Sequence, residues 1–150
     1  MKLSDAELTE ARLLIARALD EDLRYGPDIT TGATVPAGAV AVAALVLREP
    51  GVIAGVDVAL LVLDEVLGVE GYQVLGRVND GAVLKSHSAA LTLRADTRGL
   101  LTAERTMLNL VCHLSGIATT TAAWVDAVHG TKAKIRDTRK TLPGLRTLQK

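Results

Sequence analysis

The sequence predicts an α+β N-terminal domain, helices packed on a mostly antiparallel sheet, followed by the first β/α unit of an incomplete β/α barrel. Three observations predict it. Between residues 39 and 97, short β-branched or alternating runs are separated by turn signals and interrupted by one apolar helix, the pattern of a sheet packed against helices. From Leu100 to Gly130 the chain then sustains helical spacing. Beyond that, "AKIRDT" and a Pro- and Leu-patterned segment begin a strand–loop–helix repeat. The division falls at residue 110, with 1–110 as the α+β domain and 111–150 as a linking helix and the start of the barrel.

The first element is a helix in "LSDAELTEARLLIARALDEDL". Ser4 with Glu7 three residues on is a capping box, and Leu3 with Leu8 is placed as a hydrophobic staple. Leu8, Ala11, Ile15, Ala18 and Leu19 mark one face. Asp20, Glu21 and Asp22 lie at the end of the helix where the dipole disfavours negative charge, so the cluster calls for a partner elsewhere. "RYGPDITTGATVP" reads as a loop. Ala39–Leu47 reads as a well-buried strand, "REPG" as a turn and "VIAG" as a second strand. "VDVALLVLDEVLG" is an apolar helix with Asp57 in its first turn and Gly68 as its stop. Tyr72–Val78 and "ALTLRAD" are further strands, with a turn at "NDG" between them. The long helical stretch is expected to break in two at Gly116. In "AKIRDT" a period of two puts Ala133, Ile135 and Asp137 on one face, and Thr141, Pro143 and the Leu142/Leu145/Leu148 spacing open another helix. A β/α barrel needs roughly 250 residues, and the last helix has neither a stop signal nor a partner for its apolar face, so the chain of 150 reads as cut.

Composition narrows the function classes. Seventeen basic residues balance seventeen acidic ones, which argues against a dedicated nucleic-acid or membrane-surface protein. Aromatic residues are 2% with no Phe, so base-stacking platforms are not available. A single cysteine excludes a disulfide framework and fits a reducing compartment. Neither a signal pattern nor an apolar run of about 18 residues is present, and the expectation is a cytoplasmic protein with no membrane partner.

Two places carry chemistry. If "AKIRDT" is a barrel strand, Thr138, Arg139 and Lys140 emerge at its carboxyl end, where β/α folds bind ligands. A guanidinium fork, an ammonium and a hydroxyl suit a small polyanion but supply neither nucleophile nor general base. The same run reads equally well as solvated surface. Arg105, on the long helix, is either a ligand contact or the partner of Glu104, Glu21 or Asp22. His87 in a turn, His113 on an apolar helix face, His129 near a helix end and Cys112 beside His113 are weak candidates, because adjacent helical residues point apart and form no metal pair. P-loop, dinucleotide-binding, zinc and nucleophile-elbow patterns are all missing from the sequence.

Four blocks, "EDLRYGPDITT", "GVIAG", "LLTAERTMLNLVCHLSGIAT" and "AKIRDTRKTLPGLR", resemble in this order the N-terminal half of the quinolinate phosphoribosyltransferase family, in its actinobacterial form. The resemblance implies a pentosyltransferase of NAD biosynthesis. Such an enzyme converts quinolinate and phosphoribosyl pyrophosphate to nicotinate mononucleotide, CO2 and pyrophosphate, with Mg²⁺. It implies Thr138, Arg139 and Lys140 as quinolinate contacts, and a homodimer in which Arg105 reaches the neighbouring subunit's site. No catalytic or metal residue is implied within these 150 positions. "LKSHSAALTL" departs from the family pattern by lacking a Gly-containing turn. Three other readings compete: a sister transferase acting on another ring, a non-catalytic dimerisation module built on Leu101–Leu114, and nucleic-acid binding by the basic run.

Overall fold

A helix opens the described part of the chain, residues 3–150 of a computed structural model. It is α1 (Asp5–Leu23), and its start is the capping box: the Ser4 hydroxyl accepts from the Glu7 N–H while the Glu7 carboxylate accepts from the Ser4 N–H at 2.7 Å. The Ser4 hydroxyl, then its backbone, holds the Glu7 carboxyl below the usual range. Ala11, Ile15 and Leu19 are buried, as the spacing predicts. The segment read as a loop contains a short helix, α2 (Ile29–Thr34). Asp28 caps it by accepting from the Thr31 N–H at 2.9 Å and from the Thr31 hydroxyl, which keeps the Asp28 carboxyl low. A helix this short gives no periodicity to read, only its cap.

The strands are β1 (Val40–Val46), β2 (Gly51–Val52), β3 (Tyr72–Arg77), β4 (Val83–Leu84) and β5 (Ala89–Asp96), with α3 (Val56–Leu67) between β2 and β3. Two antiparallel sheets result, one of order β1-β5-β3 and one pairing β2 with β4. The central strand β5 buries Leu91, Leu93 and Ala95 against the helices. β1 differs from expectation: it is an edge strand with one open face, and Val42 is 61% exposed. A run of small and β-branched residues suits a strand but does not say how many faces are covered.

α3 ends at Gly68, whose φ of 79° only glycine adopts at ease, and whose N–H donates to the Asp64 carbonyl. Its N-terminus is closed by Asp80, whose carboxylate accepts from the Gly55 and Val56 N–H groups at 2.8 and 2.9 Å. Val56, Val58, Val62 and Leu63 from α3 meet Ile15, Ile53, Ala103 and Val111 in one core. Each of the Val, Leu and Ile side chains contributes roughly 1.5–3 kcal/mol by leaving water.

The long helix, α4 (Thr97–Ala127), is a single element of 31 residues capped by Asp96, and it runs unbroken through Gly116. One interior glycine costs only about 1 kcal/mol, which the buried face of Leu100, Ala103, Thr106, Leu110, Val111 and Leu114 outweighs. Ser115 and Thr119, one turn apart, complete the edge beside β2: the Thr119 hydroxyl accepts from the Val52 N–H at 2.9 Å and the Ser115 hydroxyl from the Ala54 N–H at 3.0 Å.

Residues 133–138, expected as a barrel strand, form no ladder. A strand is held by its neighbours' backbone groups, and none runs beside this segment among the described residues. The final helix, α5 (Arg146–Gln149), starts later than Thr141 because Gly144, at φ 81°, turns the chain first. Leu148 brings α5 against the core. Among the described residues no helix is long and apolar enough to cross a membrane.

Candidate anion-binding site

Thr138, Arg139 and Lys140 lie on the loop that leads into α5, and all three are exposed. The loop is braced from behind. The Thr138 hydroxyl accepts from the Lys140 N–H at 3.0 Å, and the Leu142 N–H donates to Gln149 Oε1 at 3.1 Å. Arg146 donates from Nε to the Thr141 hydroxyl and from Nη2 to the Arg139 carbonyl. Asp137, the acidic residue within the basic run, pairs with Lys150 at 2.5 Å, and that ammonium holds its carboxyl low. Among the described residues the Arg139 and Lys140 side chains make no ion pair or hydrogen bond, so two adjacent cationic groups are left to solvent or ligand.

Arg105 sits elsewhere, on the wall of a cleft of about 690 Å³ between α4 and the chain around α2. Asp22, Asp28, Thr31, Glu104 and Asn109 share that lining, and none of Thr138, Arg139 and Lys140 does. Of the three carboxylates that the sequence offers as partners, Asp22 is the one in contact with Nη1 of Arg105. That hydrogen bond and the charge of Asp22 raise the pKa of Arg105 further, with smaller contributions from Asp28 and Glu104.

The weaker candidates resolve into structural places. Among the described residues His87 is the one non-glycine residue with positive φ, 62°, in the turn between β4 and β5, so the turn forms with histidine at the left-handed position, while β4 pairs with β2 and not with β5. His113 Nε2 faces Gln149 Nε2 at 2.6 Å, tying α4 to α5. His129 is exposed just after α4, and Cys112 is an exposed free thiol. No group of three or more His, Cys, Asp or Glu side chains among the described residues is arranged to hold a metal ion. Arg98 was not singled out from the sequence, yet it fixes one side of the Arg105 cleft. Its guanidinium donates to the Val35 carbonyl at 2.6 and 2.9 Å and to the Gly32 carbonyl at 3.1 Å. Nothing local in "DTRG" signals a contact to backbone so distant in sequence.

The N-terminal domain model of the quinolinate phosphoribosyl transferase family matches residues 28–115, and the C-terminal domain model of the same family matches residues 117–150. The carboxylating nicotinate-nucleotide pyrophosphorylase of Mycobacterium leprae is 75% identical over 148 residues, which are 99% of this chain and 52% of that protein. A probable enzyme of the same name from Methanothermobacter thermautotrophicus is 40% identical over 82% of this chain and 43% of its own length. Among solved structures, the Francisella tularensis nicotinate-nucleotide pyrophosphorylase superposes with a TM-score of 0.87 at 31% identity, over 99% of this chain and 51% of that one. That of Ehrlichia chaffeensis gives 0.83 at 37% identity, over 99% and 51%. The chain spans about half the length of the curated relatives it matches. With both family models matched in order and nearly every residue covered, the chain belongs to the quinolinate phosphoribosyltransferase family.

Proposed function

We propose that this chain forms the N-terminal domain and one wall of the quinolinate pocket in a cytoplasmic quinolinate phosphoribosyltransferase. The reaction joins quinolinate to the phosphoribosyl group of phosphoribosyl pyrophosphate, releases pyrophosphate and CO2, and yields nicotinate mononucleotide. The observation that carries the reading is the braced loop on which Arg139 and Lys140 stand exposed and unpaired beside Thr138. Quinolinate is a dicarboxylate, and a guanidinium fork beside an ammonium can take its two groups with different geometry. Cations at this position also stabilise negative charge as it develops on the ring during decarboxylation. Arg105 belongs to the same reading as a residue that serves the site of a second subunit in a homodimer. Its separation from the Thr138–Lys140 loop within one chain supports that role. The division of the chain at residue 110, inside α4, goes with this assignment. Mg²⁺ is the ion expected to accompany phosphoribosyl pyrophosphate. No group of three or more His, Cys, Asp or Glu side chains among the described residues is arranged to hold it.

Binding of quinolinate to the 150-residue chain, followed by amide chemical shifts, tests the reading. The amides of Thr138–Leu142 are expected to move, Arg139→Ala and Lys140→Ala to abolish the shifts, and nicotinate, with one carboxylate, to bind more weakly. Equal binding of nicotinate, or shifts confined to other regions, would remove quinolinate from the assignment.

A further inference from the structure

Asp22 belongs to the last turn of α1, which contains no basic residue to balance the helix dipole. Its side chain is 17% exposed, whereas the Arg105 side chain in contact with it is 72% exposed. The acid is therefore the fixed member of the pair. Its helix is anchored through Ala11, Ile15 and Leu19, while the base reaches over from the solvent side of α4. A pair this open to water on one side contributes little to stability, so stability alone does not account for a half-buried carboxylate in an unfavourable dipole position.

The geometry of the contact points to another role. Among the described residues, the single side-chain hydrogen bond of Arg105 uses Nη1. Nε and Nη2, which together form the other edge of the guanidinium, make no hydrogen bond among the described residues, and Arg105 lines the cleft. Asp28 adds its charge to the field at Arg105, but its carboxylate oxygens accept from Thr31 and, among the described residues, it makes no hydrogen bond to the guanidinium. We infer that Asp22 is a positioning residue for Arg105: it holds the guanidinium by one edge and thereby presents the opposite edge, already oriented, to a carboxylate of the ligand. An arginine side chain carries large rotamer freedom, and a fork ordered before binding loses less of it when the carboxylate arrives. This rests on the assignment of quinolinate as the ligand, but the ordering of Arg105 by Asp22 does not.

The test is made on the 150-residue chain with two measurements. The arginine Nε–Hε NMR signals are recorded for the unsubstituted chain, Asp22→Asn, Asp22→Glu and Arg105→Lys, the last locating the Arg105 signal. Quinolinate affinity is measured for the same four proteins, with thermal melts as the check on folding. Arg105 is expected to give a distinct, slowly exchanging signal that collapses into the bulk in Asp22→Asn and is partly restored in Asp22→Glu, while Tm stays within about 3 °C, as befits an exposed pair. Quinolinate should bind roughly tenfold more weakly to Asp22→Asn, the scale of one charge-assisted hydrogen bond. An Arg105 signal that persists in Asp22→Asn, or an affinity that is unchanged or higher there, overturns the inference. If the unsubstituted chain does not bind quinolinate, the functional assignment falls. The Arg105 signal then decides the role of Asp22 alone, collapse supporting it and persistence overturning it.

Discussion

Tyr72 shows how one side chain ties stability to pH. Its hydroxyl donates to the Asp64 carboxylate at 2.7 Å, and burial first, then this carboxylate, pushes its ionisation well above the ordinary phenol range. In the unfolded chain a tyrosine ionises near pH 10, so the folded state retains a proton that the unfolded state gives up. The resulting stabilisation is complete below about pH 10 and is lost as pH rises toward the folded-state value. In a Tyr25→Phe background, which leaves Tyr72 as the one tyrosine, phenolate absorbance should appear only as the chain unfolds at alkaline pH. Ionisation near pH 10 with the fold intact would contradict this account. His87 bears on conformation instead. A left-handed backbone costs a non-glycine residue about 1–2 kcal/mol, and His87 is exposed. Allowing for the greater freedom of glycine when unfolded, His87→Gly should stabilise the chain by roughly 0.5–1 kcal/mol in urea denaturation. The sequence shows the missing glycine plainly, but not that the turn survives without it. The Arg105–Asp22 pair was similarly half legible. Opposite charges announced themselves, while the choice among three acids needed the crossing of α1 and α4.

Elements whose signals are chemical and local were the readable ones. The Ser4/Glu7 box and the Gly68 stop each act within a turn of their own helix, and both are where the sequence puts them. Features set by neighbours were not readable: the open face of β1 follows from its edge position, and residues 133–138 lack a ladder because no strand among the described residues adjoins them. Gly116 falls between these cases, because a local breaker signal is overridden by packing on the opposite side of α4. This predicts a contrast between two glycines. A Cβ at Gly116 would meet nothing within 4 Å, so Gly116→Ala should stabilise by roughly 0.5–1 kcal/mol through helix propensity. A Cβ at Gly55 would come within 2.9 Å of Leu114 Cδ1 at a φ of 92°, so Gly55→Ala should cost at least about 1–3 kcal/mol. Chemical denaturation midpoints of both variants check the pair, and equal signs would refute the packing argument.

At the scale of the whole molecule, the cationic loop and the Arg105 cleft lie apart, and the described residues include no metal cluster. The chain alone, supplied with quinolinate, phosphoribosyl pyrophosphate and Mg²⁺, is therefore expected to form no nicotinate mononucleotide, a result read by chromatography of the product. Measurable turnover would mean that these 150 residues assemble a complete site by themselves. Sedimentation addresses the dimer separately, and a well-folded chain that stays monomeric at all concentrations would count against pairing through the surface around Leu101. The unbroken course of α4 has a mechanical consequence. At about 1.5 Å per residue, its 31 residues make a rod of roughly 46 Å that starts in the core and ends shortly before the Thr138–Lys140 loop. Ligand contacts tolerate misplacement of only about 0.5 Å, which over such a lever corresponds to a rotation of about half a degree. Ser115 and Thr119, gripping the backbone beside β2 past the middle of this rod, are two pins added to the buried face that fixes its direction.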